Sequence, residues 1–222
     1  MLYFEGYFSG MSYFSDKEYK GKREGDNFWF EELYFNRWFR EFSDPILDVG
    51  CATGNFIAIK PNLIEGIDID EDSLAVARSR GFKVRKVDAQ KPLEEVESSR
   101  YQGVYVKHVI EHLPDPLSFL REVKRILKPG GKVVILTPNC PYMFTRGFWD
   151  DYTHVRPFTK RSLEMVAYDA GFRGINISED FRCFPGLGLL MRAFRISPRV
   201  LRFIQSILFI RGLSLIAEVV KE

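Results

Sequence analysis

Four short stretches hold residues whose types and spacing could do chemistry. ILDVGCATG, residues 46–54, is an apolar run, Asp48, and then the small residues Gly50, Ala52 and Gly54. Small residues after a strand let a ligand approach the backbone, and the N–H groups of such a loop line the start of a helix. In GIDID, Asp68 stands 18 residues after Gly50 at the end of a second strand, placed to accept both hydroxyls of a ribose. In KVDAQ, Asp88 ends a third strand, placed to meet the exocyclic amine of an adenine. Together these strand ends describe a nucleoside pocket. In WDDYTHVRPFT, His154 is flanked by Asp151 and Arg156 and is the best candidate for a general base. Its plainer reading is a structural histidine that pins the loop before the next helix.

A dinucleotide and S-adenosylmethionine both fit a pocket of this kind. The dinucleotide fingerprint wants G-x-G-x-x-G, and Gly50-x-Ala52-x-x-Asn55 matches it poorly. Asp48 lies two residues before the first glycine. A carboxylate there suits a ligand with an ammonium and a sulfonium, and it repels a pyrophosphate.

These residues need strand ends and helices to position them. From Pro45 the pattern alternates: strands at ILDVG, LIEGIDID, GFKVRKVDA, YQGVYVKHV, KVVILTPN, FRGINISED and LSLIAEVVK, with helices between. EDSLAVARSR is a helix capped by Asp70 or Asp72, with Leu74, Val76 and Ala77 inward. DPLSFLREVKRILKPGG is a helix with Leu117, Leu120, Val123 and Leu127 on one face, stopped by Pro129-Gly130-Gly131. TKRSLEMVAYDAGF is a helix with Thr159 as N-cap and Gly171 as stop. Strands alternating with helices imply right-handed crossovers and a parallel sheet with ligands at the strands' carboxyl ends. The fold class expected is α/β: a Rossmann-like, seven-stranded, mostly parallel sheet with helices on both faces. Residues 1–44 form an aromatic cap, with Phe28, Leu33, Phe35, Trp38, Phe39 and Phe42 at helical spacing. The domain proper is 45–222, including a basic apolar helical insertion at 181–211 that holds six Arg and no acid.

ILDVGCATGNF, GIDID, VDAQ, HVIEHLPDP and LKPGGKVVILTPN together resemble the successive motifs of class I S-adenosylmethionine-dependent methyltransferases, in the family's order and spacing. The resemblance covers roughly residues 45–180 and the last strand, and HVRPFTKRSLEMVAYDAGF is similar to the helix after the fifth strand of small-molecule and quinone-type members. It implies S-adenosyl-L-methionine as cofactor. Gly50, Cys51, Ala52 and Gly54 then form the loop around its methionine part, supported by Asp48. Asp68 binds the ribose, Ile69 packs on the adenine, Asp88 and Ala89 meet its edge, and Lys107 and His108 lie near the methyl group. Ala52 departs from the pattern, since many members have Gly there.

His108, Glu111 and His112 have metal-like spacing, and some quinone-type O-methyltransferases carry an acid-rich version of this stretch that holds a divalent ion. Here the first acid position is His108, and no metal is expected: Glu111 and His112 fix the turn into the helix at Pro114. The aromatic N-terminus closes over the cofactor, through Tyr13 and Tyr19, or packs on the sheet. The insertion reads as a membrane-surface element, a cover for a lipid-like acceptor, or a dimer interface.

The reading that follows is a methyltransferase acting on a small-molecule or lipid-linked acceptor, at oxygen. Its rivals are a nucleic-acid or protein methyltransferase and a non-catalytic cofactor-binding module at a membrane surface. A net charge of +2 over 222 residues is small for a phosphate-backbone binder. KHVIEHL after the fourth strand also lacks the (Asp/Asn)-Pro-Pro-aromatic motif of base-amine methylators. No nucleic-acid partner is expected, and a homodimer is one reading of the insertion. Cys51, Cys140 and Cys183 show no CxxC pair, and the N-terminus shows no secretory pattern, which suits a reducing cytoplasm with peripheral membrane contact through 181–211.

Overall fold

The computed structural model describes residues 28–91, 93–94, 96–140, 148–180 and 214–222. The expectations for Tyr13, Tyr19 and the insertion at 181–211 lie outside these residues. The chain divides after Ala89 into two compact units.

The first unit opens with helix α1, Phe28–Trp38. Tyr34 and Trp38, one turn apart, stack with ring centroids 5.3 Å apart. Phe35 and Phe39 reach Phe56 at 6.1 and 5.8 Å, so the expected aromatic face is a packed one. Phe35, Trp38 and Phe39 are buried, Leu33 and Phe42 half-buried, and Tyr34 joins the buried set. Strands β1 (Ile46–Val49), β2 (Ile64–Asp68) and β3 (Val84–Lys86) pair in parallel. β1 is buried throughout, as an apolar run in a parallel sheet must be. The loop after β1 leads into a single 3-10 turn, Ile57–Ile59, and not into an α-helix. Lys60 precedes Pro61, which disfavours helical backbone, and it sits at φ −145° and ψ 73°. Helix α2, Glu71–Ser79, is capped by Asp70, whose side chain accepts the Ser73 N–H at 3.1 Å. Leu74 and Ala77 are buried on it, and Val76 is half-buried. β3 stops at Lys86, so Asp88 lies two residues beyond the strand rather than at its end.

The second unit holds β4 (Tyr101–Lys107), a 3-10 turn at Ile110–His112, α3 (Pro116–Ile126), β5 (Leu127–Pro138), α4 (Lys160–Asp169), β6 (Gly174–Asp180) and β7 (Ser214–Val220). Asp115 caps α3 with Pro116 in the first turn, and α4 carries a Thr159–Ser162 capping box. Gly171, at φ +92°, ends α4 in the left-handed conformation expected of it. α3 ends earlier than its sequence suggests. Leu127 is already extended and pairs with Tyr101, so Pro129-Gly130-Gly131 falls in a register shift of β5. The buried face of α3 is Phe119, Leu120, Val123 and Ile126, while Leu117 is half-buried. The seven strands follow the order β3-β2-β1-β4-β5-β7-β6, with β7 antiparallel to both neighbours. This is the mostly parallel Rossmann-like sheet that the alternating pattern implies.

Candidate active site

In the first unit the loop after β1 is a tight backbone knot. Gly50 and Cys51 both donate their N–H to the Ile67 carbonyl, at 2.8 and 3.1 Å, and Gly54 N–H returns to Cys51 O at 2.8 Å. Gly50 and Gly54 have φ of +76° and +85°. Ala52, at φ +45°, also holds the left-handed conformation that favours glycine. Gly66 in β2 makes room behind the loop, because a Cβ there would stand 2.6 Å from Cys51 Sγ and 2.7 Å from Ile57 Cδ1.

Asp68 ties this loop to β2. One carboxylate oxygen accepts the Ala52 N–H at 2.8 Å and the other accepts the Asp70 N–H at 2.9 Å. A carboxylate has about four acceptor sites, so some acceptor capacity is left. Burial pushes the Asp68 carboxyl up, against the hydrogen bonds that pull it down. Burial also drives the Cys51 thiol far up, helped by the charges of Asp48 and Asp68. Asp48 is buried beneath the loop, and Asp88 and Ala89 are half-buried. Ile69 is 49% exposed, an apolar platform beside Asp68 that a flat ring could cover.

The second cluster lies in the second unit. Lys107 closes β4 half-buried, and His108 follows at φ +54°. Its Nδ1 sits 3.1 Å from Oε1 of Glu111, a fully buried carboxylate whose Oε2 accepts from Thr137 Oγ1 at 3.0 Å. Burial raises the Glu111 pKa, but the hydrogen bond and charge of His108 outweigh it, and the net direction is down. The Glu111 carbonyl accepts the N–H groups of Val155 and Arg156, both at 3.0 Å. Glu111 therefore anchors the 151–156 loop, while Asp115 makes the cap at the start of α3.

Two histidines meet on that loop. Thr153 Oγ1 gives its hydrogen to Asp151 Oδ1 at 2.5 Å, so at 2.9 Å it accepts from His112 Nδ1. His154 Nδ1 lies 2.6 Å from the Phe148 carbonyl, which can only accept. Both rings thus carry hydrogen on Nδ1, and Nε2 is the basic nitrogen of each. His154 Nε2 is 3.9 Å from Asp151 Oδ2. Burial, above all, holds the His112 pKa below its ordinary value. For Asp151 the hydrogen bonds from Thr153 overcome burial and lower the pKa. Among the described residues, one donor atom from each of Glu111, His112 and His154 lies within 4.8 Å of the others, a grouping able to hold a metal ion.

The structure gathers Asp48, Gly50, Cys51, Ala52, Gly54, Asp68 and Ile69 around one loop, and gathers His108, Glu111, His112 and His154 around another. Thr137, Thr153 and Phe148 belong to the second group and were not foreseen. Their partners lie 26, 41 and 6 positions away, and no local spacing signals the two longer links.

Residues 11–177 match the family described as "Methyltransferase domain", and the chain belongs to that family. Its fold is shared by solved methyltransferases as well. Over 103 residues it is 37% identical to the ubiquinone biosynthesis O-methyltransferase of Pseudomonas paraeruginosa, covering 42% of this chain and 44% of that one. The chain thus spans less than half the length of the curated relatives it matches. A SAM-dependent methyltransferase from Archaeoglobus fulgidus superposes with a TM-score of 0.70 at 24% identity, covering 92% of this chain and 98% of that one. Phosphoethanolamine N-methyltransferase 2 of Haemonchus contortus, solved with S-adenosyl-L-methionine, gives 0.64 at 19% identity, covering 87% and 52%.

Proposed function

We propose that the chain methylates an oxygen of a small-molecule or lipid-linked acceptor, with His154 as the base. The observation that carries the role of His154 is its Nδ1 contact with the Phe148 carbonyl, which fixes the ring and makes Nε2 the proton acceptor. S-adenosylmethionine supplies an activated methyl group on a sulfonium. The first unit's residues fit that cofactor: the loop of Gly50, Ala52 and Gly54 offers close backbone approach, Asp68 keeps acceptor capacity for a ribose, and exposed Ile69 offers a face for the adenine. Asp88 and Ala89 follow as the adenine edge. The protein's part is alignment and removal of the hydroxyl proton.

An acceptor of the lipid-linked kind is suggested by the basic apolar stretch 181–211 and by the similarity to quinone-pathway O-methyltransferases. The same stretch suits peripheral contact with a membrane from the cytoplasm. The test is transfer of labelled methyl from S-adenosylmethionine into a host-cell extract split into lipid, polar, protein and nucleic-acid fractions. Label in lipid or polar fractions supports the proposal. Label confined to protein or nucleic acid overturns it.

One observation favours a second reading of the same cluster, the convergence of Glu111, His112 and His154 within 4.8 Å. A divalent cation held there would act as a Lewis acid on the acceptor oxygen, with His154 as ligand instead of base. This set differs from the His108-Glu111-His112 spacing, because His108 spends its Nδ1 on Glu111. Metal content of the purified protein, of His154→Ala and of His108→Gln separates the readings. Metal lost only in His154→Ala supports the cation, and metal-free protein with chelator-resistant turnover excludes it.

A further inference from the structure

We propose that Arg80 is a positioning residue for the cofactor loop, and that its task is to hold the Ala52–Thr53 segment, in which Ala52 is strained. The inference rests on the loop being the cofactor site. Ala52 occupies φ +45°, which costs a residue with a Cβ free energy that glycine does not spend. Such a conformation persists only where the surroundings over-determine it. Here two ties grip the strained segment from opposite sides. Asp68, just before α2, takes the Ala52 N–H at 2.8 Å. Arg80, the C-cap of α2, donates through Nη1 to the Thr53 carbonyl at 2.8 Å and to Asn55 Oδ1 at 3.3 Å. The residues at the two ends of one helix thus hold the Ala52 N–H and the Thr53 C=O, on either side of the Ala52–Thr53 segment.

Arg80 is itself braced. Its guanidinium lies 4.8 Å over the Phe82 ring. Phe82 in turn fills the space that a side chain at position 54 would need, since a Cβ on Gly54 would meet Phe82 Cδ2 at 2.5 Å. Arg80, Phe82 and Gly54 form a stack against the back of the loop. A family pattern with glycine at position 52 would not need such a clamp, and this chain, with alanine, does.

The test is a double-mutant cycle on cofactor affinity, measured by titration calorimetry with S-adenosylmethionine and its demethylated product. Arg80→Gln is expected to raise Kd about tenfold, the size of one charge-assisted hydrogen bond, with the melting temperature near that of the native chain. In the Ala52→Gly background the same change is expected to move Kd no more than about twofold, because the strain is gone. Arg80→Lys keeps the charge and one donor and gives an intermediate Kd, which preserves the test should Arg80→Gln fold poorly. Arg78→Gln, on the exposed Arg78–Glu71 pair, serves as the control without effect. A lowered melting temperature with unchanged Kd, or an equal loss of affinity with Ala and with Gly at position 52, overturns the clamp. A native chain that binds neither compound overturns the cofactor site itself.

Discussion

The imidazole rings of His112 and His154 face each other with centroids 4.6 Å apart and planes tilted by 52°. His154 also lies 4.5 Å from the Phe148 ring. The two rings are therefore in contact, and positive charge on His154 disfavours a proton on His112. His154 is among the groups that lower the His112 pKa, after burial.

That arrangement sets the sign of a pH effect. His112 titrates near 6.5 in an unfolded chain and lower when folded. Between neutral pH and the folded value the unfolded chain binds a proton that the folded chain does not, so stability falls as pH falls through this window. Glu111 and Asp151, with lowered folded values, keep their contribution above the ordinary carboxylate range and lose it as pH drops further. Asp68 runs the other way, since its raised value makes its ionisation a cost that acid relieves. Melting curves at pH 7.5 and 5.5 are expected to show lower stability at 5.5, with the difference reduced in His112→Gln. A native chain equally stable at both would contradict the burial of a neutral His112.

Asp68→Ala removes both the tie to Ala52 and the proposed ribose acceptor. Cofactor binding is expected to weaken by on the order of 1–3 kcal/mol, measured by calorimetry. Affinity unchanged by the substitution would sink the ribose assignment.

His154→Ala is expected to lower turnover by on the order of 10²–10⁴-fold, the usual worth of a positioned base, with cofactor affinity retained. Single-turnover methyl transfer and a separate binding titration measure the two effects. Retained turnover returns His154 to pinning the loop through the Phe148 carbonyl.

Gly66→Ala places a methyl group 2.6 Å from Cys51 Sγ and 2.7 Å from Ile57 Cδ1. Overpacking of this kind costs about 1–3 kcal/mol, read as a lower denaturation midpoint at constant slope. Cys51→Ala in the same chain should restore part of the loss, because it removes the nearer of the two atoms. Additive losses would place the strain elsewhere.

Local chemistry was readable from the residues alone. Asp70, Thr159 and Gly171 cap or stop their helices as their types and positions require, and the apolar runs of β1, β4 and β5 became buried strands. Boundaries were less legible where two signals competed. Pro129 biases Lys128 away from helix, so α3 yields to β5 before the Gly pair is reached, and Pro61 likewise cuts the helix expected after the loop. The site was legible as positions and not as contacts. Asp68 reads as a ribose acceptor from its place after a strand, but its bond to Ala52, 16 residues back, needs the fold. His154 reads as a base from its loop, while the Nδ1 partner that orients it is a backbone carbonyl, which no side-chain pattern reveals.

Cys51 gives the loop an internal clock. Its thiol is 5% exposed, and burial with two neighbouring carboxylates keeps it protonated at neutral pH. Only the thiolate reacts with alkylating reagents and oxidants, so in the closed state this sulfur is chemically silent. The rate at which it is modified therefore counts excursions in which the loop lifts away from β2, and converts to a free energy of local opening. A ligand that grips the loop should slow that clock in proportion to its occupancy, while a ligand bound elsewhere should leave it running. The sulfur that takes no part in the chemistry thus becomes the reporter of whether the loop is engaged.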